Sequence, residues 1–305
     1  MNKRWDKMEG NGAMRNNLTV ILGLFLLIGF AVPVDAQEPM RVMTYNLRYN
    51  NPDDGVNAWP NRKDAVAEMI GVKYKVDLAG MQEALKGQID DLVQRLPDFA
   101  WIGVGREDGK EKGEYSPIFY RKTRFELIQT QTFWLSETPE AAGSRSWDAA
   151  LPRIVTWGKF KEKVGGKIFY AFNTHFDHKG EKAREESAKL MWKRIAAVAG
   201  ETPTIVTGDF NSFEKSPVYA ILTGKVEVDG GRSDLKDGRY ISEKGHEGPT
   251  STMTDWKKYG PPESKIDYIF ARKGISILTH KVLEDRYNGD FPSDHLPVLA
   301  ELRLP

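Results

Sequence analysis

Cysteine is absent from all 305 residues. Its absence excludes a disulfide scaffold, a thiolate metal site, a cysteine nucleophile and a lipidated N-terminal cysteine. It does not fix a compartment, because a chain of this length buries enough surface to fold without covalent staples. A surplus of one charge sign is also lacking. Residues 1–36 hold four of the 44 basic and three of the 43 acidic side chains, leaving 40 of each in the remainder. Proteins that grip long nucleic acid usually carry a basic surplus that displaces counterions, and none is visible here. Internal repeats, low-complexity tracts and Pro/Gly/Ser-rich linkers are missing as well. So is any Gly-x-Ser-x-Gly elbow, without which Ser293-Asp294-His295 has little claim to be a serine triad.

Long apolar runs are missing with one exception, Leu18 to Val32, which follows Arg15 and ends at Pro33. The run falls short of the roughly 20 residues of a bilayer span. Val34-Asp35-Ala36 then offers a small residue where a signal peptidase cuts. Residues 1–36 are therefore expected to be a cleavable signal peptide, with Met14 a more typical start for it. The mature chain, from about Gln37, is expected to be secreted or periplasmic, with no stable membrane insertion.

What remains has 40% hydrophobic and 11% aromatic residues, ample for a buried core. Short apolar runs rich in β-branched and aromatic residues predict strands at 40–46, 78–83, 117–121, 153–161, 167–175, 204–209, 265–271, 275–282 and 297–302. Val164-Gly165-Gly166 between the fourth and fifth predicts a hairpin. Helical spacing places Val66, Met69, Ile70 and Tyr74 on one face after Asn61 as N-cap. A second helix uses Ile89, Leu92, Val93 and Leu96, and a third spans 181–199. This mixture means α/β or α+β, with one domain over residues 38–305. The polar, glycine-rich stretch 224–264 is expected to be a surface excursion near a site.

Polar residues end or interrupt six of these strands: Asn46, Glu83, His175, Asp209 with Asn211, Asp267, and Asp294-His295 just before the last. Burying such groups is costly unless they are paired or ligate a metal. Six repetitions of the pattern imply that the strand ends converge. Asn46, Glu83, Asp209, Asn211 and Asp294 offer oxygen donors, which favour Mg²⁺ or Mn²⁺ over zinc. The histidines are then left for proton transfer and charge stabilisation, and Asp267 with His295 makes a carboxylate–imidazole pair. Taken singly, each signal has a plainer reading. Glu83 is more often a salt-bridge partner, Gly208-Asp209-Phe210-Asn211 suits a turn, and His175-Phe176-Asp177-His178 lacks the further ligand a zinc site needs. His280 reads as core filler. Asn57-Ala58-Trp59 and Trp256 either line a pocket or pack.

Together these segments resemble the endonuclease/exonuclease/phosphatase superfamily. The matching motifs, in order, are Tyr45-Asn46, Gln82-Glu83, the strand from Tyr115 to Arg121, Asn173-Thr174-His175, Gly208-Asp209-Phe210-Asn211, Ile266-Asp267-Tyr268 and Ser293-Asp294-His295. The resemblance covers the chain beyond residue 38 and implies a four-layer αββα sandwich, two mixed β-sheets face to face with helices outside. It implies Glu83 as principal metal ligand, with Asn46 and Asp294 assisting. It also implies Asp209 as the group that orients or deprotonates the attacking water, held by Asn211. His295, paired with Asp267, and His175 would contact the phosphate. Arg153 resembles a phosphate-contacting arginine, with Glu114 and Tyr115 matching less closely and Trp256 a substrate-side candidate. The implied activity is metal-dependent hydrolysis of a phosphomonoester or phosphodiester by a monomer. A small or medium phosphorylated molecule is the expected substrate, with a nuclease as alternative. A non-catalytic binding module on the same fold and a metal-independent two-carboxylate glycosidase are readings from other classes.

Overall fold

The structure is a computed structural model that describes residues 38–305; the expected signal peptide lies outside them. Among the described residues no helix is long and apolar enough to cross a membrane.

The strands are β1 (Met40–Asn46), β2 (Leu78–Gln82), β3 (Phe99–Ile102), β4 (Ile118–Arg121), β5 (Phe125–Trp134), β6 (Ile154–Glu162), β7 (Ile168–His175), β8 (Thr204–Asp209), β9 (Lys236–Asp237), β10 (His246–Glu247), β11 (Asp267–Arg272), β12 (Ser276–Val282) and β13 (Val298–Arg303). The helices are α1 (Trp59–Glu68), α2 (Lys86–Arg95), α3 (Glu181–Ala199), α4 (Pro217–Leu222) and α5 (Gly238–Ile241). Seven strands form one mixed sheet in the order β10-β12-β13-β1-β2-β4-β3, and six form the other in the order β5-β6-β7-β8-β11-β9.

Three apolar clusters define the layers. Val42, Leu78 and Val298 of the first sheet meet Phe160, Phe169 and Ile205 of the second. Met191 and Ile195 of α3 cover the outer face of the second sheet at Val206 and Phe270. Val66 of α1 and Leu92 of α2 cover the first sheet at Met43 and Met81. The sequence expectation of a sandwich of two mixed sheets with helices outside is met.

Alternation along each strand then decides what faces the gap between sheets. Met40 and Val42 face it in β1, so Thr44 and Asn46 do too; the same parity brings Asn173 and His175 of β7, Thr207 and Asp209 of β8, and Asp267 of β11 into the gap. The intersheet core is thus apolar at one end and polar at the other. A buried network fills the transition. Gln82 donates to the Asn173 carboxamide oxygen at 2.7 Å, and Thr207 donates to the same atom at 3.0 Å. Gly80 sits where the sheets come closest: a Cβ there would lie 2.0 Å from Thr207 Oγ1.

Several expectations change in detail. Helix α1 starts at Trp59 with Ala58 as N-cap, and Pro60 presets its first turn; Asn61 lies inside it and donates to the Val56 carbonyl. The helix then widens into a π-turn at Met69–Lys73, which leaves Tyr74 as its half-buried C-cap. Val93 is exposed, because α2 is narrow-faced and only Ile89 and Leu92 of its apolar positions reach the core. Trp59 is buried and donates to Asp91, so packing prevails over pocket lining there. Strands β3 and β5 have no signal of this kind; β5 is an edge strand whose exposed residues, Ile128 apart, are polar. Gly165 and Gly166 both adopt positive φ in the expected β6–β7 turn. The excursion at 224–264 is not irregular throughout: Met253 pairs with His295, and the Thr252 hydroxyl accepts from Ile266 and Asp267 N–H.

Candidate active site

Parallel pairing of β7 with β8 sets His175 beside Asp209, and antiparallel pairing of β8 with β11 sets Asp267 on the other side. Across the gap, β1 ends at Asn46, paired in register with Gln82, so Glu83 follows at the rim. Asp209 is the centre. Its Oδ1 accepts the backbone N–H of Asn211 at 2.9 Å and its Oδ2 accepts Asn46 Nδ2 at 3.0 Å. His175 Nε2 lies 3.4 Å and His295 Nε2 3.9 Å from it. The Asn46 amide also donates to Glu83 at 3.2 Å, so one carboxamide joins the two carboxylates. Glu83 and Asn211 both hold positive φ, 59° and 46°. Such strain in non-glycine residues gathers at functional sites.

The side of the cluster nearest His295 is a pair. His295 Nδ1 lies 2.9 Å from Asp267, which fixes the tautomer and leaves Nε2 toward Asp209. Burial opposes protonation of this ring, but the charge and hydrogen bond of Asp267, with Asp209 and Asp294 behind it, raise its pKa well above the ordinary histidine value. His175 behaves oppositely. Burial, then the Arg153 and Arg106 guanidinium charges, push its pKa well below the usual value. A neutral His175 accepts from Asn211 at Nε2 (3.1 Å), so the proton sits on Nδ1, which makes no hydrogen bond and lies 3.9 Å from Glu114. Asp209 is pushed up to about 7 by burial and by repulsion from Asp267. Burial also raises Asp294, with Glu83 adding to it.

Arg153 is held by Asp177 at 3.4 Å and His178 at 2.9 Å, and its buried Nη1 has no protein partner. That pairing also disposes of a zinc reading for His175–His178. Glu114 takes a two-pronged ion pair from Arg106 at 2.5 and 2.9 Å, and burial raises its pKa. Tyr115 is packed, with its hydroxyl donating to the Lys110 carbonyl. Arg106, Glu114, Tyr115, Arg153 and His175 nevertheless border one small gap. The Trp256 ring packs with the Arg62 guanidinium 5.3 Å from its centre. His280 is fully buried against His246, as core filler would be.

Two arginines carry no sequence signal. Arg62 is buried and donates to the carbonyls of Leu47, Arg48, Asn57 and Pro292, tying the segments that present Asn46 and Asp294. Arg106 sits in a glycine-punctuated loop. It pairs with Glu114 there, whereas isolated loop charges are usually solvated.

The donor set can be tested for a divalent cation. Glu83, Asp209, Asp267 and Asp294 crowd together against one imidazolium, and burial, with repulsion between neighbouring carboxylates added to it, raises the pKa values of Asp209 and Asp294. All offer hard oxygen, so the residues fit Mg²⁺ or Mn²⁺. Two placements compete. Asp209, Asp267 and His295 are close enough to hold an ion together, yet His295 is engaged by Asp267 and favoured as a cation, which cannot ligate. The Glu83 and Asp294 side fits better, since no imidazole is engaged there and, among the described residues, the only cation in ion-pair reach of Asp294 is Arg48 at 3.8 Å. Asn46 Oδ1 accepts from Arg48 N–H at 2.9 Å, so its carboxamide would have to turn over to ligate.

A family model described as "Endonuclease/Exonuclease/phosphatase family" matches residues 43–295. An endonuclease/exonuclease/phosphatase structure from Bacteroides vulgatus is 41% identical, with a TM-score of 0.81, over 88% of this chain and 100% of its own. A mannosyl-6-phosphatase from Bacteroides thetaiotaomicron is 36% identical, with a TM-score of 0.79, over 87% of this chain and 100% of its own. Among curated proteins, the CCR4-Not complex 3'-5'-exoribonuclease subunit Ccr4 of Mycosarcoma maydis is 23% identical over 88% of this chain, which spans 51% of that protein.

Proposed function

The chain belongs to the endonuclease/exonuclease/phosphatase family, whose members hydrolyse phosphoester bonds, and from that premise we propose that it is an exported, divalent-metal-dependent phosphoesterase acting on a phosphorylated sugar. The observation that carries the chemistry is Asp209, buried, held by two N–H donors and pushed up to about 7. A carboxylate so placed is matched to take a proton from water near neutral pH. Phosphoryl transfer is mostly positioning and charge neutralisation, with water attacking in line with the leaving oxygen. The His295 imidazolium, fixed by Asp267, supplies positive charge at the phosphoryl oxygens. Neutral His175 donates from Nδ1, and Arg153 donates from Nη1; these are buried donors that make no hydrogen bond within the protein, with Glu114 3.9 Å from the first. Glu83 and Asp294, with Asn46 after a carboxamide turn, would hold the cation. When bound, that cation polarises the phosphoryl group and supports the leaving oxygen.

The sugar preference draws on the mannosyl-6-phosphatase relative, and it agrees with the balanced charge of residues 37–305. Export draws on the apolar run at 18–32. A nuclease is the second reading, favoured by the Ccr4 relative. The test is turnover of mannose 6-phosphate, bis-p-nitrophenyl phosphate, plasmid DNA and sphingomyelin with Mg²⁺ and with EDTA. Hydrolysis of DNA in preference to the sugar phosphate sinks the first reading.

A further inference from the structure

Arg62 is only 3% exposed, and among the described residues no carboxylate lies in ion-pair reach of it. Burial works against its charge, while Asp294 and Asp54 favour that charge from further away. A buried cation without a paired anion is costly unless other groups satisfy it. What surrounds Arg62 is backbone. Its Nε donates to the Asn57 carbonyl at 2.8 Å and its Nη2 to that of Arg48 at 2.7 Å. Its Nη1 donates to the carbonyls of Leu47 and Pro292, the latter at 3.1 Å. The rings of Trp59 and Trp256 lie against the guanidinium, their centres 5.1 and 5.3 Å from its carbon, within the roughly 6 Å reach of cation–π attraction.

The carbonyls so gripped are not scattered. Leu47 and Arg48 directly follow Asn46, and Pro292 stands two residues before Asp294. The Tyr49 N–H donates to the Glu83 carboxylate at 3.1 Å, so the stretch held by Arg62 also holds Glu83. That stretch turns sharply at Arg48, whose φ is 54°, and Gln88 donates to the same Arg48 carbonyl at 3.0 Å. Asn46, Glu83 and Asp294, the groups proposed to hold the cation, are thus braced through one guanidinium. Its five N–H donors form a rigid planar fork, whereas a lysine carries three on a flexible stem and cannot fix four carbonyls in one arrangement.

We infer that Arg62 is a positioning residue that sets the spacing of Asn46, Glu83 and Asp294, and through it the affinity of the protein for its divalent cation. The inference rests on the metal-dependent reading above and adds to it a residue that reaches the site only through backbone. Groups that stand behind metal ligands commonly govern affinity by about 10–100-fold.

The test is Mn²⁺ binding to the whole protein, followed by the EPR signal of free Mn²⁺, in wild type, Arg62→Lys and Val66→Ala. Val66 lies one turn further along α1 and packs in the core, so truncating it loosens the helix without removing any of the carbonyl bonds. The expected result is a rise in Kd of about tenfold or more in Arg62→Lys, with the wild-type Kd kept in Val66→Ala. An unchanged Kd in folded Arg62→Lys overturns the inference. So does an equal rise in Val66→Ala, which would reduce Arg62 to a general prop of the helix. Should circular dichroism show Arg62→Lys unfolded, Trp256→Leu decides by the same measurement, since it removes one ring from the guanidinium and keeps the donors: a smaller rise in Kd supports the inference and an unchanged Kd overturns it. The two readings fail differently. No Mn²⁺ binding by wild type rejects the proposed cation and this inference with it, whereas wild-type binding that is indifferent to Arg62 rejects the inference alone.

Discussion

Asn46 reaches across the gap between the two sheets to place its amide nitrogen 3.0 Å from the Asp209 carboxylate, 163 residues away in sequence. The same amide touches Glu83 at 3.2 Å. Two strand ends that a sequence shows only as unrelated polar interruptions are thereby joined through one side chain.

Asp209→Asn should keep the fold and lose turnover by about 10²–10⁴ in kcat, the range expected of a positioned acid or base. Stability should move the other way. A carboxyl whose folded pKa is raised to about 7 loses folded-state stability as pH climbs from its unfolded value through 7. In EDTA at pH 8 the variant should therefore melt higher than wild type, at about 2–4 °C per kcal/mol of relieved repulsion. Near-normal activity in the purified variant rejects the role.

Asp267→Asn keeps a partner for His295 Nδ1 but removes the charge that holds the ring protonated. Activity that needs the imidazolium is lost as pH rises through its pKa. The alkaline limb of the kcat profile should accordingly shift to lower pH in the variant. A profile that scales down without shifting places the proton elsewhere.

Chelation should silence the enzyme, and Mg²⁺ or Mn²⁺ should restore it. An ion at one hundred times its Kd stabilises the folded state by about 2.7 kcal/mol, so thermal melts should rise with added Mg²⁺. Glu83→Gln should remove most of that rise. Full activity on phosphate esters in EDTA would reject the metal requirement.

Away from the site, His280 is buried and its pKa is depressed to about 2, chiefly by burial. The unfolded chain protonates near the ordinary histidine value, so stability falls as pH drops from about 6.5 toward that lower figure, by at most about 1.4 kcal/mol per pH unit. Urea midpoints at pH 7 and pH 5 should differ less in His280→Gln than in wild type.

The strand ends were readable because each catalytic residue replaces an apolar one in a row of period two. Asn46 follows Met40, Val42 and Thr44 on one face, and Asp209 follows Ile205 and Thr207. Buried arginines leave no such trace. Arg62 lies on a helix and Arg106 in a loop, where a charge is ordinarily solvated, and only tertiary contact shows that carbonyls and a carboxylate await them. Asn211 shows a finer limit. Its place beside Asp209 was visible, but it is the backbone N–H that holds the carboxylate, while the carboxamide serves His175 and Phe176. Strand β5 escaped because an edge strand with a wetted face need not alternate.

The missing side chain at Gly80 lets Thr207 and Asn173 of the opposite sheet come within touching distance. Asn46 and Glu83 ride on one slab of the molecule, and His175, Asp209 and Asp267 on the other. Hydrolysis therefore gauges how closely the slabs are clasped. A bulkier residue at position 80, or solvent seeping into that seam, would wedge the reacting groups apart while leaving each sheet whole, and activity would vanish before circular dichroism registered any change.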